Sequence, residues 1–367
     1  MNHADTLSAD LQARIAQAIH QAGGWLGFDA FMHLALYTPG LGYYANDLRK
    51  LGLMPGSGSD FVTAPELSPL FGLALAQPIG QALAASGTNE VWEFGAGSGA
   101  LALQLLDALG EQVQRYTIVD VSGALKARQH ATLAAHAHKV RWVSQLEDVA
   151  GVVVGNEVLD AMPVKLLQRT AGVWHERGVA WQDGLVWQDR VTDLRPPIEI
   201  VGEHDYQTEI HPQGEAFVRT IAQHLQRGAA FFIDYGFTEA EYYHPQRHMG
   251  TVVCHRAHQM DDNPLVDVGL KDITAHVNFT GVALAAQDAG LDVLGYTSQA
   301  RFLINAGLPE LMAAAPLEAR ANAQKLILEH EMGELFKVIG LAKGWNPSGY
   351  ASPNGLGFKP GDRTHTL

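Results

Sequence analysis

Apolar residues recur at helical spacing near the N-terminus of the chain. Between Leu11 and Ala22 they fall on one side of a helix, for which Ser8 is the expected N-cap and Gly23-Gly24 the expected stop. A second short helix is expected after Asp29, again with apolar residues on one side. The pattern therefore predicts a helical N-terminal region followed by turn-rich sequence.

From Glu90 onwards the pattern changes to short apolar runs that alternate with helical stretches. Strands are predicted at Glu90–Phe94, Tyr116–Val119, Val140–Val143, Val152–Val154, Ala229–Ile233, Leu291–Tyr296 and Phe336–Ala342. The intervening helices include Ala100–Leu109, Ala124–His136 and Glu318–Met332. Such alternation is typical of a parallel sheet covered on both faces, so the predicted fold class is α/β.

Two further segments depart from this alternation. Residues 165–190 have a hairpin pattern, with turns expected at Ala171-Gly172 and Asp183-Gly184. The tryptophans of this segment are expected mainly to pack rather than to recognise a ligand; they are Trp174, Trp181 and Trp187. The Pro/Gly-rich tail, residues 346–367, is expected to be mobile.

The segment from Leu67 to Asn89 has no charged residue, which on length alone allows a membrane span. It contains prolines, glutamines and glycines, however, and these favour a buried helix. Ser68 is the expected cap of that helix and Pro69 its first residue. No membrane span is therefore predicted.

Composition and charge restrict the class of protein and of partner. Apolar residues make up 47% of the 367 residues and charged residues 17%, which is typical of a globular protein. The net charge is −14, from 25 basic and 39 acidic residues. A negative surface repels phosphate backbones, so no nucleic-acid partner is expected, and a cationic protein segment suits the surface better.

Cysteine usage and the N-terminal residues bear on the compartment. Cys254 is the one cysteine, so no internal disulfide can form, which suits a reducing environment. Residues 1–10 have neither the basic nor the apolar region of a signal peptide. A cytoplasmic location is therefore expected.

A glycine-rich loop follows the first predicted strand of the sheet. Glu93 and Phe94 lead into Gly95-Ala96-Gly97-Ser98-Gly99, and a helix is predicted directly afterwards. Glycines at Gly95, Gly97 and Gly99 let a ligand approach the backbone N–H groups of the loop closely. The same pattern also fits dinucleotide binding or a purely structural turn, so the loop alone does not identify the ligand.

Asp120 ends the next predicted strand, about twenty residues beyond the loop, where a carboxylate accepts hydrogen bonds from both hydroxyls of a ribose. NAD and S-adenosylmethionine both contain that ribose. Asp120 is alternatively an N-cap of the following helix, aided by Ser122, and the two roles are compatible. These residues therefore predict nucleoside binding without separating the two cofactors.

The segment after the fourth strand does separate them. Asn156, Glu157 and Asp160 crowd the carboxyl edge of the predicted sheet, where open α/β folds bind ligands. A nicotinamide ring requires an apolar surface there, whereas polar acceptors and carboxylates suit a sulfonium methyl donor. The segment therefore favours S-adenosylmethionine, with S-adenosylhomocysteine as the product.

The motifs of the chain resemble those of the MidA-type family, which includes the mitochondrial complex I assembly-factor protein arginine methyltransferase and its bacterial relatives. The similar segments span nearly the whole chain: residues 37–44, 60–72, 93–99, 156–164, 233–236, 272–279 and 333–338. Segments 60–66 and 156–163 are specific to the family, and the glycine loop is not.

The resemblance implies a class I methyltransferase: a Rossmann-like, seven-stranded sheet whose last strand is antiparallel. It implies a helical cap over residues 1–88, with Thr63 and Glu66 against the cofactor pocket, and a catalytic domain over 89–345 with a hairpin-containing insertion at 165–227. It also implies a protein substrate, in particular a subunit of the respiratory NADH dehydrogenase. Asp120 departs from the glutamate expected there, and Val252-Val253 from a stretch where relatives are expected to carry arginine.

An arginine acceptor would require its protonated guanidinium to be held and polarised. Glu157 and Asp160 are the candidate carboxylate clamp, with Asn156 holding the cofactor or orienting the acceptor. Asp160 is alternatively a helix cap and Glu157 a solvated residue. His276 is a candidate proton acceptor or acceptor-ordering residue, although a packed, hydrogen-bonded histidine is the more common case.

No histidine spacing in the sequence requires a metal, and none is expected. Two other functions remain open at this point. One is an NAD(P)-dependent oxidoreductase that uses the same loop and Asp120, and the other is a non-catalytic assembly factor that retains a cofactor pocket.

Overall fold

The computed structural model describes residues 3–46, 62–120, 123–256, 259–346 and 355–367. These residues form two compact units, each built from separate segments of the chain. The first unit contains Met1–Phe61, Asp160–Glu215 and Phe237–Asn278. The second contains Val62–Leu159, Ala216–Gly236 and Phe279–Leu367.

The helices of the described residues are, in chain order, α1 (His3–Gln21), α2 (Phe28–Tyr37), α3 (Ala64–Leu67), α4 (Leu70–Ser86), α5 (Ala100–Leu109), α6 (Gly123–Thr132), α7 (Pro212–His224), α8 (Glu239–Tyr242), α9 (Phe279–Asp288), α10 (Gln299–Asn305), α11 (Leu308–Ala314) and α12 (Leu317–Lys325).

The strands are β1 (Leu26–Gly27), β2 (Glu90–Phe94), β3 (Arg115–Val119), β4 (Val140–Val143), β5 (Val149–Asn156), β6 (Lys165–Thr170), β7 (Val173–Trp181), β8 (Leu185–Val191), β9 (Tyr206–Ile210), β10 (Leu225–Phe237), β11 (Val253–Arg256), β12 (Gln259–Asp261), β13 (Asp272–Thr274), β14 (Val277–Asn278), β15 (Asp292–Ser298) and β16 (Phe336–Lys343).

The second unit contains the expected α/β sheet. Its strands lie in the order β15, β16, β10, β5, β2, β3, β4. Neighbouring strands from β10 to β4 are parallel, whereas β16 is antiparallel to both β10 and β15. The mostly parallel α/β fold with an antiparallel last strand is therefore confirmed.

The topology of this sheet fixes where a ligand can bind. The chain runs from β2 outward through β3 and β4, and then returns to β5 on the other side of β2. The order of the strands therefore reverses at the carboxyl end of β2. In open α/β sheets such a reversal leaves a crevice at that edge, and ligands bind in it.

The apolar runs of the sequence form this sheet because its inner strands are covered on both faces. All three valines from Val152 to Val154 on β5 are buried, as are the five residues from Ala229 to Ile233 on β10. The uncharged segment after Leu67 is the buried helix α4, and the Leu70 amide donates to the Ser68 hydroxyl at 3.3 Å. In the described part of the chain, no helix is long and apolar enough to cross a membrane.

The first unit combines the N-terminal helices with antiparallel strands. Its larger sheet has the order β1, β7, β6, β9, with β8 on the outer side of β7. The expected turns are present: Ala171 and Asp183 have φ angles of 48° and 54°. Trp187 packs against Phe28 of α2 with ring centroids 5.6 Å apart. The hairpin prediction is confirmed for this segment.

Several helix boundaries differ from the sequence-based expectation. Helix α4 begins at Leu70, so Pro69 is its N-cap residue and not its first helical residue, and Ser68 is not its cap. Helix α6 ends at Thr132 and not at His136. Helix α1 begins at His3, so Ser8 lies within it and is not its N-cap. The helix expected to run to Met332 ends at Lys325. Its end is set by a tertiary contact, because the buried Gln299 side chain donates to the Leu326 carbonyl at 2.9 Å.

The described end of the Pro/Gly-rich tail packs on the second unit. Phe358 is buried and its ring lies 5.1 Å from that of Phe302. The Arg363 guanidinium donates to the Glu334 carboxylate at 2.5 Å. These contacts fasten residues 355–367 to α10 and to the residues just before β16.

Candidate functional site

The glycine loop occupies the crevice at the carboxyl end of β2. Gly95, Gly97 and Gly99 have φ angles of 62°, 53° and 86°, a region in which side chains are strained. A Cβ atom on Gly95 would lie 3.1 Å from a methyl carbon of Val158, a separation that requires the neighbour to shift. The loop therefore packs directly against the turn after β5.

Glu93, on β2 just before the loop, is a buried carboxylate. It accepts a 2.7 Å hydrogen bond from the Tyr116 hydroxyl of β3. Burial raises the pKa of Glu93 to about 7; the Tyr116 hydrogen bond opposes this shift and the charge of Asp120 adds to it. Glu93 therefore changes its charge near neutral pH.

Asp120 follows β3 directly and is half-buried. One of its carboxylate oxygens accepts a 2.8 Å hydrogen bond from the Gln129 amide. Its position at the carboxyl edge is the one expected of a ribose-binding carboxylate. Ser122, which was predicted to assist it, lies outside the described residues.

The short helix α3 brings Glu66 to the glycine loop. The Ser98 hydroxyl donates a hydrogen bond to the Glu66 carboxylate. Thr63 is the N-cap residue of this helix and is half-buried. Glu66, from the family-specific segment 60–66, thus contacts the loop within the second unit. Asp60 and Phe61 of that segment lie outside the described residues.

Asn156 is the last residue of β5, and Glu157 begins the turn that follows it. The Asn156 amide nitrogen donates to the Glu157 carboxylate at 2.9 Å. The Asn156 amide oxygen is buried and accepts no hydrogen bond from the described residues. Glu157 has a φ angle of 54°, which is uncommon for a residue other than glycine and costs conformational energy.

Asp234, on the neighbouring strand β10, holds this turn in place. One of its carboxylate oxygens accepts the amide N–H groups of Val158 and Leu159, at 3.1 and 2.8 Å. The Glu157 amide donates to the Ile233 carbonyl at 2.9 Å. Three consecutive backbone donors are thereby satisfied by β10, which fixes the strained conformation of Glu157.

Asp160 and His276 belong to the first unit. The Ala275 amide donates to the Asp160 carbonyl at 3.0 Å, so the two predicted residues lie on adjacent segments. The His276 amide donates to the Thr251 hydroxyl, and its ring lies 5.1 Å from that of Phe237. The helix-cap alternative for Asp160 is wrong, because no helix follows it in residues 161–164.

Aromatic and acidic side chains are also close together in the first unit. The Tyr44 hydroxyl donates to both carboxylate oxygens of Asp272, at 2.7 and 2.8 Å. The Tyr37 and Tyr44 rings are stacked 5.7 Å apart. Burial raises the pKa of both tyrosines, and the charges of Asp272 and Asp160 raise it further.

The predicted residues thus fall into two groups. Thr63, Glu66, Glu93, the three loop glycines, Asp120, Asn156 and Glu157 belong to the second unit. Asp160 and His276 belong to the first. The described residues contain no cluster of three or more His, Cys, Asp or Glu side chains suited to a metal ion.

Three residues at this crevice were not singled out from the sequence. They are Ser98, Gln129 and Asp234, whose contacts reach Glu66, Asp120 and the turn at Glu157. Asp234 lies in a segment similar to the MidA-type family, which was the one signal available for it. Gln129 is a buried amide within a short helix, and nothing in its sequence neighbours marks it.

Comparisons with known proteins agree with this geometry. A family model described as "putative S-adenosyl-L-methionine-dependent methyltransferase" matches residues 74–297. A protein from Burkholderia thailandensis described as a "likely methyl transferase", solved with S-adenosyl-homocysteine bound, is 49% identical with a TM-score of 0.94. That match covers 100% of this chain and 99% of the other.

Two relatives of known name are more distant. "Protein arginine methyltransferase NDUFAF7, mitochondrial" of Danio rerio is 28% identical, over 87% of this chain and 83% of the relative. The corresponding Drosophila melanogaster protein is also 28% identical, over 92% and 85%. Both names place these proteins in the mitochondrion, which contradicts the cytoplasmic location expected from the sequence.

The family model covers more than half of the chain, and the Burkholderia structure matches it end to end. The glycine loop, the carboxylate after β3 and the acidic turn after β5 stand at the edge of the sheet where such a cofactor binds. The oxidoreductase alternative is thereby set aside. The chain belongs to this family of S-adenosylmethionine-dependent methyltransferases.

Proposed function

We propose that the protein transfers the methyl group of S-adenosylmethionine to an arginine side chain of a protein substrate. One observation carries the proposal: the turn with Asn156 and Glu157 packs directly against the glycine loop, at Val158 and Gly95. A carboxylate therefore stands beside the place where a nucleoside ligand would lie. A cationic methyl acceptor requires such a neighbour.

The residues of the second unit are suited to hold the cofactor. In this assignment, the backbone of the glycine loop supports the ligand and Asp120, with Ser122, binds its ribose. Asn156 offers a buried amide oxygen without a partner among the described residues. Glu93, Thr63 and Glu66 complete the pocket, which gives the 1–88 segment a share in it. The bound cofactor supplies an electrophilic methyl group on a sulfonium sulfur.

The chain itself has to position the acceptor. A guanidinium keeps its proton at neutral pH and spreads its lone pairs over three nitrogens. In this proposal Glu157 accepts hydrogen bonds from the guanidinium, which directs one nitrogen to the methyl group and localises the charge on the others. Alignment of this kind is the main requirement of a reaction whose electrophile is already activated.

The backbone of Glu157 supports this role. Glu157 has a φ angle of 54°, which a glycine or asparagine would adopt at lower cost. The glutamate at this position is therefore strained. Strain of this kind is concentrated at functional sites. Asp160 and His276, which belong to the first unit, stay sequence-based predictions of catalytic residues.

The choice of arginine and of a protein substrate is supported by the relatives named above, which are protein arginine methyltransferases. The net charge of −14 also suits a cationic protein segment. A subunit of the respiratory NADH dehydrogenase is the first acceptor to test, as the resemblance to the MidA-type family implies.

The test is a transfer assay with methyl-labelled S-adenosylmethionine. The purified protein is incubated with an extract that lacks it, and the labelled proteins are hydrolysed for amino-acid analysis. The proposal expects the label in methylarginine, and none with heat-inactivated protein. Label in another amino acid would refute arginine as the acceptor, and no protein label would refute the protein substrate.

A further inference from the structure

Gln129 of α6 is a fully buried amide that connects three elements of the cofactor crevice. Its side-chain nitrogen donates to the Asp120 carboxylate at 2.8 Å and to the Gly97 carbonyl at 3.1 Å. Its side-chain oxygen accepts from the indole nitrogen of Trp142, on β4, at 2.9 Å. One side chain thus joins the glycine loop, the carboxylate after β3 and the strand β4.

The chemistry of the neighbours fixes the orientation of this amide. A carboxylate and a carbonyl oxygen only accept hydrogen bonds, so the amide nitrogen has to face Asp120 and Gly97. An indole N–H only donates, so the amide oxygen has to face Trp142. The flipped orientation would leave all three contacts unfavourable. Both N–H groups and one oxygen lone pair of Gln129 are therefore used in a single arrangement.

The packing around Gln129 restricts its movement further. A Cβ atom on Gly99 would lie 3.5 Å from the Gln129 Cα atom, so the helix fits closely against the loop. The Trp142 ring lies 3.8 Å from the ring of His130, the next residue of α6. The indole group is thereby held on two sides, and it keeps the Gln129 amide from rotating.

We propose that Gln129 is a positioning residue for the cofactor. By donating to one oxygen of Asp120, it fixes the plane of that carboxylate so that the second oxygen faces the ribose hydroxyls. By donating to the Gly97 carbonyl, it fixes the position of the glycine loop relative to Asp120. The inference rests on the assignment of Asp120 to the ribose in the proposed function, and it extends that site to α6 and β4.

The first experiment compares Gln129→Met with Gln299→Met by calorimetric titration of S-adenosylhomocysteine. Methionine keeps the volume of glutamine and removes its hydrogen bonds. Gln299 is an equally buried amide of the same unit, and it bonds Leu326 away from the crevice. We expect Gln129→Met to weaken binding by about 10-fold, as for the loss of a charge-assisted hydrogen bond, and Gln299→Met to leave it unchanged.

A second ligand separates positioning from general loosening of the fold. Wild type and Gln129→Met are titrated with the form of S-adenosylhomocysteine that lacks both ribose hydroxyls. If Gln129 acts through Asp120 as well as through Gly97, its substitution weakens the binding of this ligand less than that of S-adenosylhomocysteine, because the ribose contact is already missing. An equal loss for both ligands would overturn the inference. Equal binding of both ligands by the wild type would instead refute the ribose assignment of Asp120.

A third variant serves if Gln129→Met does not fold. Gln129→Glu keeps the acceptor for Trp142 but places a second carboxyl beside Asp120. Its affinity for S-adenosylhomocysteine is expected to improve relative to wild type as the pH falls from about 8 to about 5.5, because the introduced carboxyl gains a proton and can donate again. A pH-independent affinity ratio would overturn the inference.

Discussion

The carboxylate of Glu93 accepts a hydrogen bond from the Tyr116 hydroxyl at 2.7 Å, with both groups buried between β2 and β3. One hydrogen bond to a carboxylate does not replace its hydration. The pKa of Glu93 is accordingly raised to about 7 by burial. A group that titrates near neutrality thus stands immediately before the glycine loop.

This relationship predicts a pH-dependent stability. The folded pKa of Glu93 is about 7 against 4.5 in an unfolded chain, so the folded state binds more protons between these values. Its contribution is fully present below about pH 4.5 and is lost as the pH rises through about 7. We therefore expect Glu93→Gln, which still accepts from Tyr116, to gain up to about 3 kcal/mol relative to wild type over that range.

Urea unfolding of both proteins at a series of pH values measures this effect. The matched control is Glu318→Gln, which removes an exposed carboxylate of the same unit. Its stability relative to wild type is expected to stay within a few tenths of a kcal/mol over the whole range. A constant difference between Glu93→Gln and wild type would show that Glu93 has an ordinary pKa in the folded protein.

The strained turn predicts a separation of stability from activity. Glu157→Gly relieves the φ angle of 54° and is expected to raise the free energy of unfolding by about 1 kcal/mol. It also removes the proposed clamp, so methyl transfer is expected to be lost. Thermal unfolding and the transfer assay are measured on the same preparations.

Ala171→Gly is the control for this variant. Ala171 has a φ angle of 48° in an exposed hairpin turn of the first unit, so its backbone is relieved in the same way. We expect a similar gain in stability with full methyl transfer. A loss of activity in both variants, or in neither, would contradict a specific role for the Glu157 side chain.

Asp234 is expected to act on catalysis through the turn that it holds. Asp234→Ala removes the acceptor of the Val158 and Leu159 amides, so the turn should lose its fixed conformation. We expect methyl transfer to fall by about 100-fold or more, because misplacement of a positioned group by about 1 Å has an effect of that size.

The matched variant for Asp234 is Asp362→Ala. The Asp362 carboxylate accepts the Tyr296 and Thr364 amides, at 3.2 and 3.0 Å, in another part of the same unit. Its removal is expected to lower stability and leave the rate of transfer per folded molecule unchanged. A similar loss of rate in the two variants would point to general destabilisation.

The sequence predicted the sheet well because the signal for it is local. Strands β5 and β10 contain the continuous apolar runs Val152–Val154 and Ala229–Ile233, and buried parallel strands require that composition. The glycine loop and the first hairpin turn were likewise identified by glycines, which tolerate the positive φ angles of Gly95, Gly97, Gly99 and Gly172. In these cases the residue type and its conformation are directly linked.

The features that were missed depend on contacts between distant residues. The end of α12 is set by Gln299, and the turn at Glu157 by Asp234, more than seventy residues away in the chain. Gln129 is a polar residue on a buried helix face, where an apolar residue is the usual expectation. Likewise, the division into two units joins segments that are far apart in sequence.

The most direct test of the account compares wild type with Glu157→Gln in transfer from labelled S-adenosylmethionine, with the affinity for S-adenosylhomocysteine measured in parallel. Glutamine keeps the size of the side chain and removes its charge. We expect methylarginine formation to fall by at least about 100-fold while the affinity changes by less than about 2-fold. Undiminished methylarginine formation at normal affinity would contradict the central claim that the acidic turn beside the glycine loop positions the acceptor.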